Sequence, residues 1–330
     1  MSYVVADIGG TTLRIGRATD QGVEAVRRVA TEGLGRYPGE APSRLQRLVM
    51  AQLAMELDDY LRSPAGLGTS AVGLSFAGPI TSDGVAIAAP TIWGSASTPL
   101  RVGELLAQRL DMPVIVANDI TAAAWRYAAT EDEPFCLYTV SSGIGTKVFR
   151  HGEVLIGDDG SGGELGHWRV DPRPDAVRCD CGGLGHLGAI ASGRGILAAA
   201  RRAAADRPRE SLLPAEITNE ALAAAIRHGD AFAVDLLRAA LQPLASAVAC
   251  VFASIGIRRH LFIGGFAVAV GEKFTEVLAD ELVRLGCFGL TPAQTRAMVR
   301  LGFADDDHSL IGMGQLLARS RSMDAYAGHR

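Results

Sequence analysis

The sequence predicts an α/β fold in two similar domains facing each other across a cleft. Strand-like and helix-like segments alternate along the chain, the pattern of that class. A strand, a turn of small residues and a return strand occur twice, around Gly9–Thr12 and around Ser141–Thr146. With 330 residues and 48% hydrophobic side chains, the chain can bury two cores.

Tyr3–Ile8 is β-rich and runs into Asp7-Ile8-Gly9-Gly10-Thr11-Thr12, and Leu13–Ala18 returns as a second strand. A dinucleotide fingerprint or a Walker loop would feed a helix instead, so both are disfavoured. A Gly-Gly-Thr-Thr turn can aim bare N–H groups and hydroxyls at an anion, although most such turns merely turn. Arg44–Leu61 repeats Leu45, Leu48, Val49, Leu53, Leu57 and Tyr60 at helical spacing. Ala71–Phe76 is a buried strand leading to a turn at Ala77–Ile80, and Asp83-Gly84 marks a hairpin. Val102–Leu110 is helical, and Met112–Ala117 is a short strand ending at Asn118-Asp119, where a helix to Ala129 begins. A strand end delivering Asn-Asp is where α/β folds place ligand chemistry. Asp119 as an ordinary N-cap is the plain alternative.

Phe135–Val140, Ser141–Thr146 and Lys147–Arg150 repeat the strand, turn and strand. Gly163–Gly193 then gathers Glu164, His167, Cys179, Cys181 and His186 among glycines. Two imidazoles and two thiols suit a tetrahedral Zn²⁺ site, the bland alternative being a glycine-rich loop with unrelated cysteines. Gly195–Ala205 is helical and 207–214 a loop. Thr218 or Asn219 caps a helix through Ile226, and an Ala-rich helix continues to about Ser254. His260–Ile263 is a buried strand opening into Gly264-Gly265, followed by helices Phe274–Leu285 and Ser309–Arg319.

A net charge of −4 carries no basic footprint for nucleic acid or an anionic membrane. The expectation is that no apolar run crosses a bilayer and that no leader opens the chain. Five cysteines, with two in a C-x-C, make no disulfide framework and point to the reducing cytoplasm. Cys136, Cys250 and Cys287 read as buried small hydrophobes. Lys147 and Lys273 are the two lysines in an otherwise arginine-using chain, a bias given no functional weight.

In their order, Asp7-Ile8-Gly9-Gly10-Thr11, Ala77-Gly78-Pro79, Asn118-Asp119, Ser142-Gly143-Ile144-Gly145, Gly163-Glu164-Leu165-Gly166-His167, Cys179-x-Cys181-Gly182-x-x-Gly185 and Ile263-Gly264-Gly265 resemble the motifs of the ROK family. That family comprises bacterial glucokinases, N-acetylmannosamine kinases and related sugar kinases, with some sugar-responsive repressors. The resemblance implies a duplicated actin-like, hexokinase-like (ribonuclease H-like) fold. Its smaller domain would be 1–117, its larger domain 118–308, and a C-terminal helix, about 309–330, would pack back on the first.

It also implies transfer of the γ-phosphoryl group of ATP to the primary hydroxyl of a hexose or hexose-like substrate. Asp119 would be the catalytic base. Asn118, Glu164 and His167 would bind the sugar, with the Gly78 backbone close by. Asp7 would hold the Mg²⁺ shell through water. Gly9, Gly10, Thr11, Thr12, Ser142 and Gly143 would grip the phosphates, and Gly264 and Gly265 would lie against adenosine. His167, Cys179 and Cys181 would hold structural Zn²⁺, with His186 as the fourth ligand on its own chemistry unless it points elsewhere and the site is empty, and a homodimer or homotetramer is implied.

Two departures bear on substrate and metal. His186 stands where the family usually has a third cysteine, and Gly188 where it places a sugar-binding glutamate near the anomeric end. Loss of that carboxylate argues against plain glucose as the best acceptor. It favours an amino-deoxyhexose such as kanosamine, or a C7-cyclitol. Thr12 for the usual Lys and Ser141 for the usual Gly are smaller changes in the phosphate turns. A sugar-responsive regulator is the rival reading, but it would need a DNA-binding segment before Asp7.

Overall fold

The computed structural model describes residues 2–94, 97–206, 213–214 and 216–327. The chain opens with β1 (Ser2–Ile8), β2 (Thr12–Thr19), β3 (Gly22–Ala30), α1 (Pro42–Arg62), β4 (Thr69–Phe76), α2 (Val102–Leu110), β5 (Val114–Asn118) and α3 (Asp119–Ala128). It continues through β6 (Phe135–Val140), β7 (Ile144–Arg150), β8 (Glu153–Val154), a 3₁₀ turn at Leu165–His167, α4 (Leu187–Ala191) and α5 (Gly193–Asp206). It ends with α6 (Asn219–Arg227), α7 (Ala231–Ile255), β9 (Arg259–Ile263), α8 (Gly265–Val270), α9 (Glu272–Leu285), α10 (Pro292–Arg296), β10 (Val299–Leu301) and α11 (His308–Ala327). The loop expected at 207–214 falls largely outside the described residues.

Two compact units form, and each holds one five-stranded sheet. The first sheet runs β3-β2-β1-β4-β5 and the second β8-β7-β6-β9-β10. In each, an antiparallel three-strand meander adds two parallel strands on the far side of its first strand. The expected duplication is therefore present as topology, and the fold is the two-domain actin-like, hexokinase-like α/β class.

Central strands carry continuous apolar runs because both faces are covered. Val4, Val5, Ala6 and Ile8 of β1 are all fully buried. The edge strand β3 gives no strand signal in the sequence, because Glu24, Arg27 and Arg28 break its alternation. Charge on an edge strand also discourages pairing with another chain. On one face of the first sheet, α1 buries Leu45, Val49, Leu53, Leu57 and Tyr60. On the other, Tyr3, Val5 and Ala71 pack with Ala122 of α3 and with Leu310, Met313 and Leu317 of α11.

That second layer decides where the unit ends. The first unit comprises Met1–Glu131, Ile156–Gly162 and Asp307–Arg330; the second comprises Asp132–Leu155 and Gly163–Asp306. The division expected at 117/118 would separate α3 from the sheet and helix it packs on. Strand-end chemistry marks that point in the sequence, whereas the α3–α11 contact marks no break there. Gly312 of α11 lies so close to α3 that a Cβ there would overlap the Ala122 carbonyl oxygen.

In the second unit, α7 is long and apolar enough to cross a bilayer by length and composition, against the expectation that no run is. Its Leu237, Leu241, Leu244 and Val248 are fully buried in the second core. Cys136 and Cys287 are buried as expected, but Cys250 is exposed on the outer face of α7. Gly312→Ala is expected to cost about 2 kcal/mol or more through overpacking. Equilibrium denaturation measures this, and an unchanged midpoint would deny the close α3–α11 approach.

Candidate active site

In the first unit, the β1–β2 turn is held by Gly9 N–H donating to Thr12 O (3.0 Å) and by Thr31 Oγ1 donating to Gly9 O (2.8 Å). These contacts shape Gly9, Gly10, Thr11 and Thr12 into a defined turn at the end of β1. Sheet register then surrounds Asp7, which faces Arg14 across β2 and Ser75 across β4. Asp7 Oδ2 accepts from Arg14 Nη2 (2.7 Å) and Nε (3.2 Å). Asp7 Oδ1 accepts from Ser75 Oγ (2.6 Å) and Ser309 Oγ (2.9 Å). Arg14 also reaches Asp307 Oδ1 at 3.2 Å, tying the start of α11 to this carboxylate. With four donors already on its two oxygens, Asp7 could meet the water shell of an Mg²⁺ ion only by giving one of them up. No motif announces Arg14, Ser75 and Ser309, because cross-strand register is invisible until pairing is known.

Parallel register sets Asn118 beside Phe76 at the carboxyl ends of β5 and β4. Asn118 is the N-cap of α3, in extended conformation, and its Oδ1 accepts from Ile120 N (3.1 Å) and Thr121 N (3.3 Å). Its Nδ2 donates to Gly78 O (3.0 Å) and to Asp119 Oδ1 (2.8 Å). The capping role weighed for Asp119 therefore belongs to Asn118. Asp119 is the first helical residue, with Oδ1 also accepting from Ile120 N at 3.0 Å. Every donor and acceptor position of the Asn118 amide is used within the protein, so contacting a ligand hydroxyl would mean giving one up. Gly78 is required by close approach, because a Cβ there would overlap Ala88 O.

In the second unit, Ser141 N donates to Gly143 O (3.0 Å) to close the β6–β7 turn. Ser142 lies with Ser141, Arg194, Asn219, Glu220, Gly265, Phe266 and Ala269 around a hollow of about 480 Å³. Gly264 caps α8 at a φ of +96°, where a side chain would be strained, and Gly265 opens that helix. Arg194 and Glu220 join this hollow unannounced by any motif, since they come from α5 and α6. Arg194 also pairs with Asp180, between the two cysteines.

Strand β7 anchors the segment that carries Glu164. Thr146 Oγ1 donates to Gly163 O (2.6 Å) and accepts from Leu165 N (3.3 Å). Lys147, 3% exposed, places Nζ 3.2 Å from Glu164 Oε1, whereas the Glu164 side chain is 54% exposed. Gly188, buried in the first turn of α4, brings no carboxylate to this segment. A Cβ there would come within 3.1 Å of Gly166 O.

The four expected metal ligands do converge. One donor atom from each of His167, Cys179, Cys181 and His186 lies within 4.8 Å of all the others. Cys181 Sγ is 3.2 Å from His186 Nδ1, and Cys179 Sγ is 3.8 Å from His167 Nδ1. Tetrahedral Zn²⁺ bonded to nitrogen and sulfur sets neighbouring donors about 3.5 Å apart; these two pairs bracket that spacing, and the wider pairs, up to 4.8 Å, would close on an ion. Burial pushes the Cys179 thiol up, and a cation would favour its thiolate.

Among known proteins, the C(7)-cyclitol 7-kinase of Streptomyces hygroscopicus subsp. jinggangensis is 58% identical over 327 residues, covering 96% of this chain and 93% of the relative. The 2-epi-5-epi-valiolone 7-kinase of an Actinoplanes species is 29% identical, covering 98% and 95%. The crystal structure of a ROK hexokinase from Thermus thermophilus superposes with a TM-score of 0.74 at 27% identity, covering 97% of this chain and 100% of that one. The profile of the ROK family matches residues 3–318, and the chain belongs to that family.

Proposed function

We propose that this ATP-dependent ROK carbohydrate kinase phosphorylates the exocyclic primary hydroxyl of a C7-cyclitol. The observation that carries the choice of acceptor is Gly188. A cyclitol is a carbocycle and has no anomeric carbon, so it needs no carboxylate at the position the family uses near the anomeric end. The 58% identity to a relative named as a C(7)-cyclitol 7-kinase supports the same acceptor. The hexose or amino-deoxyhexose expected first from the sequence therefore ranks second.

Asp119 takes the proton of the attacking hydroxyl. The alcohol oxygen bonds to the γ-phosphorus as the bond to the β–γ bridging oxygen breaks, and ADP leaves. Positioning does most of the work in such a loose transfer. Asn118 supplies it by holding Asp119 Oδ1 while its own oxygen anchors the helix. Glu164 and His167 hydrogen-bond the acceptor's ring hydroxyls, and the Gly78 backbone stays close to it. Gly9–Thr12 and Ser142-Gly143 offer N–H groups and hydroxyls to the phosphates. The hollow at Gly265 and Phe266 takes the adenosine, with Arg194 and Glu220 on its wall. Asp7 would order the water shell of an Mg²⁺ ion, which would supply charge neutralisation to the phosphates. Zn²⁺ on His167, Cys179, Cys181 and His186 would pin the loop next to Glu164, as a neutral Cys₂His₂ site. Five cysteines outside any disulfide support the reducing cytoplasm as the compartment.

Asp119→Asn is expected to lower kcat about 10³-fold while leaving ATP affinity nearly intact. A coupled ADP-release assay with ATP titration checks this, and an undiminished kcat clears Asp119. Chelator-washed protein should retain stoichiometric zinc by metal analysis, and His186→Ala should lose it. Zinc-free wild-type protein would remove the metal. Across 2-epi-5-epi-valiolone, other C7-cyclitols, kanosamine and glucose, kcat/KM should be highest for a cyclitol. Gly188→Glu should narrow its lead over glucose; glucose leading by a wide margin in the wild type would refute this acceptor.

A further inference from the structure

Lys147 is a lysine in a chain that otherwise uses arginine almost throughout, and it is nearly inaccessible, at 3% exposed. A buried ammonium is costly unless paired, and Glu164 Oε1 at 3.2 Å is a partner for it. The side chain runs across Gly163: a Cβ on that glycine would meet Lys147 Cδ at 2.9 Å and Nζ at 3.0 Å. Gly163 also has a φ of +71°, held by the Thr146 hydroxyl on its carbonyl. The slot suits a slim four-carbon stem ending in a point charge, and a planar guanidinium is broader.

The pair is lopsided. Lys147 lies inside the second unit, while the Glu164 side chain is 54% exposed. An ammonium on Oε1 restrains the carboxylate about its last torsion and leaves Oε2 available to another donor. We infer that Lys147 is a specificity-setting positioning residue, whose buried ammonium aims Glu164 at the acceptor's hydroxyls. This rests on the reading of Glu164 as an acceptor ligand. A carboxylate held in one orientation rejects an acceptor whose hydroxyls lie elsewhere, whereas a freely turning one adapts.

The test uses the full-length enzyme and the acceptor with the highest kcat/KM in the panel. Lys147→Met should lower kcat/KM for that acceptor about tenfold or more, mainly through KM, because a charge-assisted hydrogen bond is lost. KM for ATP, zinc content and melting temperature should stay near the wild-type values. Glu164→Gln alone should raise the acceptor KM. In that background Lys147→Met should add at most about a further twofold, because the two act as one unit.

An unchanged acceptor KM in Glu164→Gln would defeat the reading of Glu164 itself, whatever Lys147 does. A raised KM in Glu164→Gln with none in Lys147→Met or Lys147→Gln would overturn the inference alone. So would equal losses from Lys147→Met in both backgrounds, or equal damage to ATP and acceptor kinetics. Failure of both Lys147 variants to fold would make the residue structural and also overturn it.

Discussion

The N–H groups at the start of α3, which have no intrahelical acceptor, are the constraint on which the first unit's candidate site depends. A helix leaves its first N–H groups without intrahelical partners, and something must accept from them. Asn118 does so with Oδ1, and the same amide holds Asp119 through Nδ2. The asparagine takes most of that task, so that of the Asp119 carboxylate one oxygen, Oδ1, shares the Ile120 N–H while being held by the Asn118 amide. Gly78 is drawn into the same arrangement through its carbonyl oxygen, so the β4 turn and the β5 end are locked together.

Around that constraint, both units use one device. In each sheet a hairpin turn follows the first strand, and the parallel strands on its other side end at the same edge. Side chains that are distant in sequence become neighbours through register alone. Asp7, Arg14, Ser75 and Ser309 meet this way, from three strands and the last helix. The Glu164 segment is fastened differently, by two successive β7 side chains, Thr146 and Lys147. The cysteine loop then gathers its four donor side chains through tight local turns, such as Cys179 N–H to Gly183 O.

Much of this is legible in the order of the amino acids. The hairpins, α1, β4, α2, β6 and β9 follow from apolar periodicity and turn residues. The candidate metal ligands follow from donor chemistry and close spacing, and the candidate base Asp119 from its place at a strand end. The features that stay hidden have a common form. The edge strand β3 lies under its charges; β10, α8 and α10 are too short to show a period. Arg14, Arg194 and Glu220 belong to no local motif, and Lys147 reads as compositional bias until its burial is known.

By itself, the sequence determined the class of fold, the repeat of its halves, the family and the residue types able to move a proton or bind a metal. These depend on local spacing and side-chain chemistry, which are present in the linear chain. The tertiary structure alone decided that Asn118 rather than Asp119 caps α3. It also decided that α3 belongs with α11, and that a buried ammonium stands behind Glu164. Those outcomes depend on which groups burial leaves needing a partner, and burial exists only once sheets have paired and helices have packed on them.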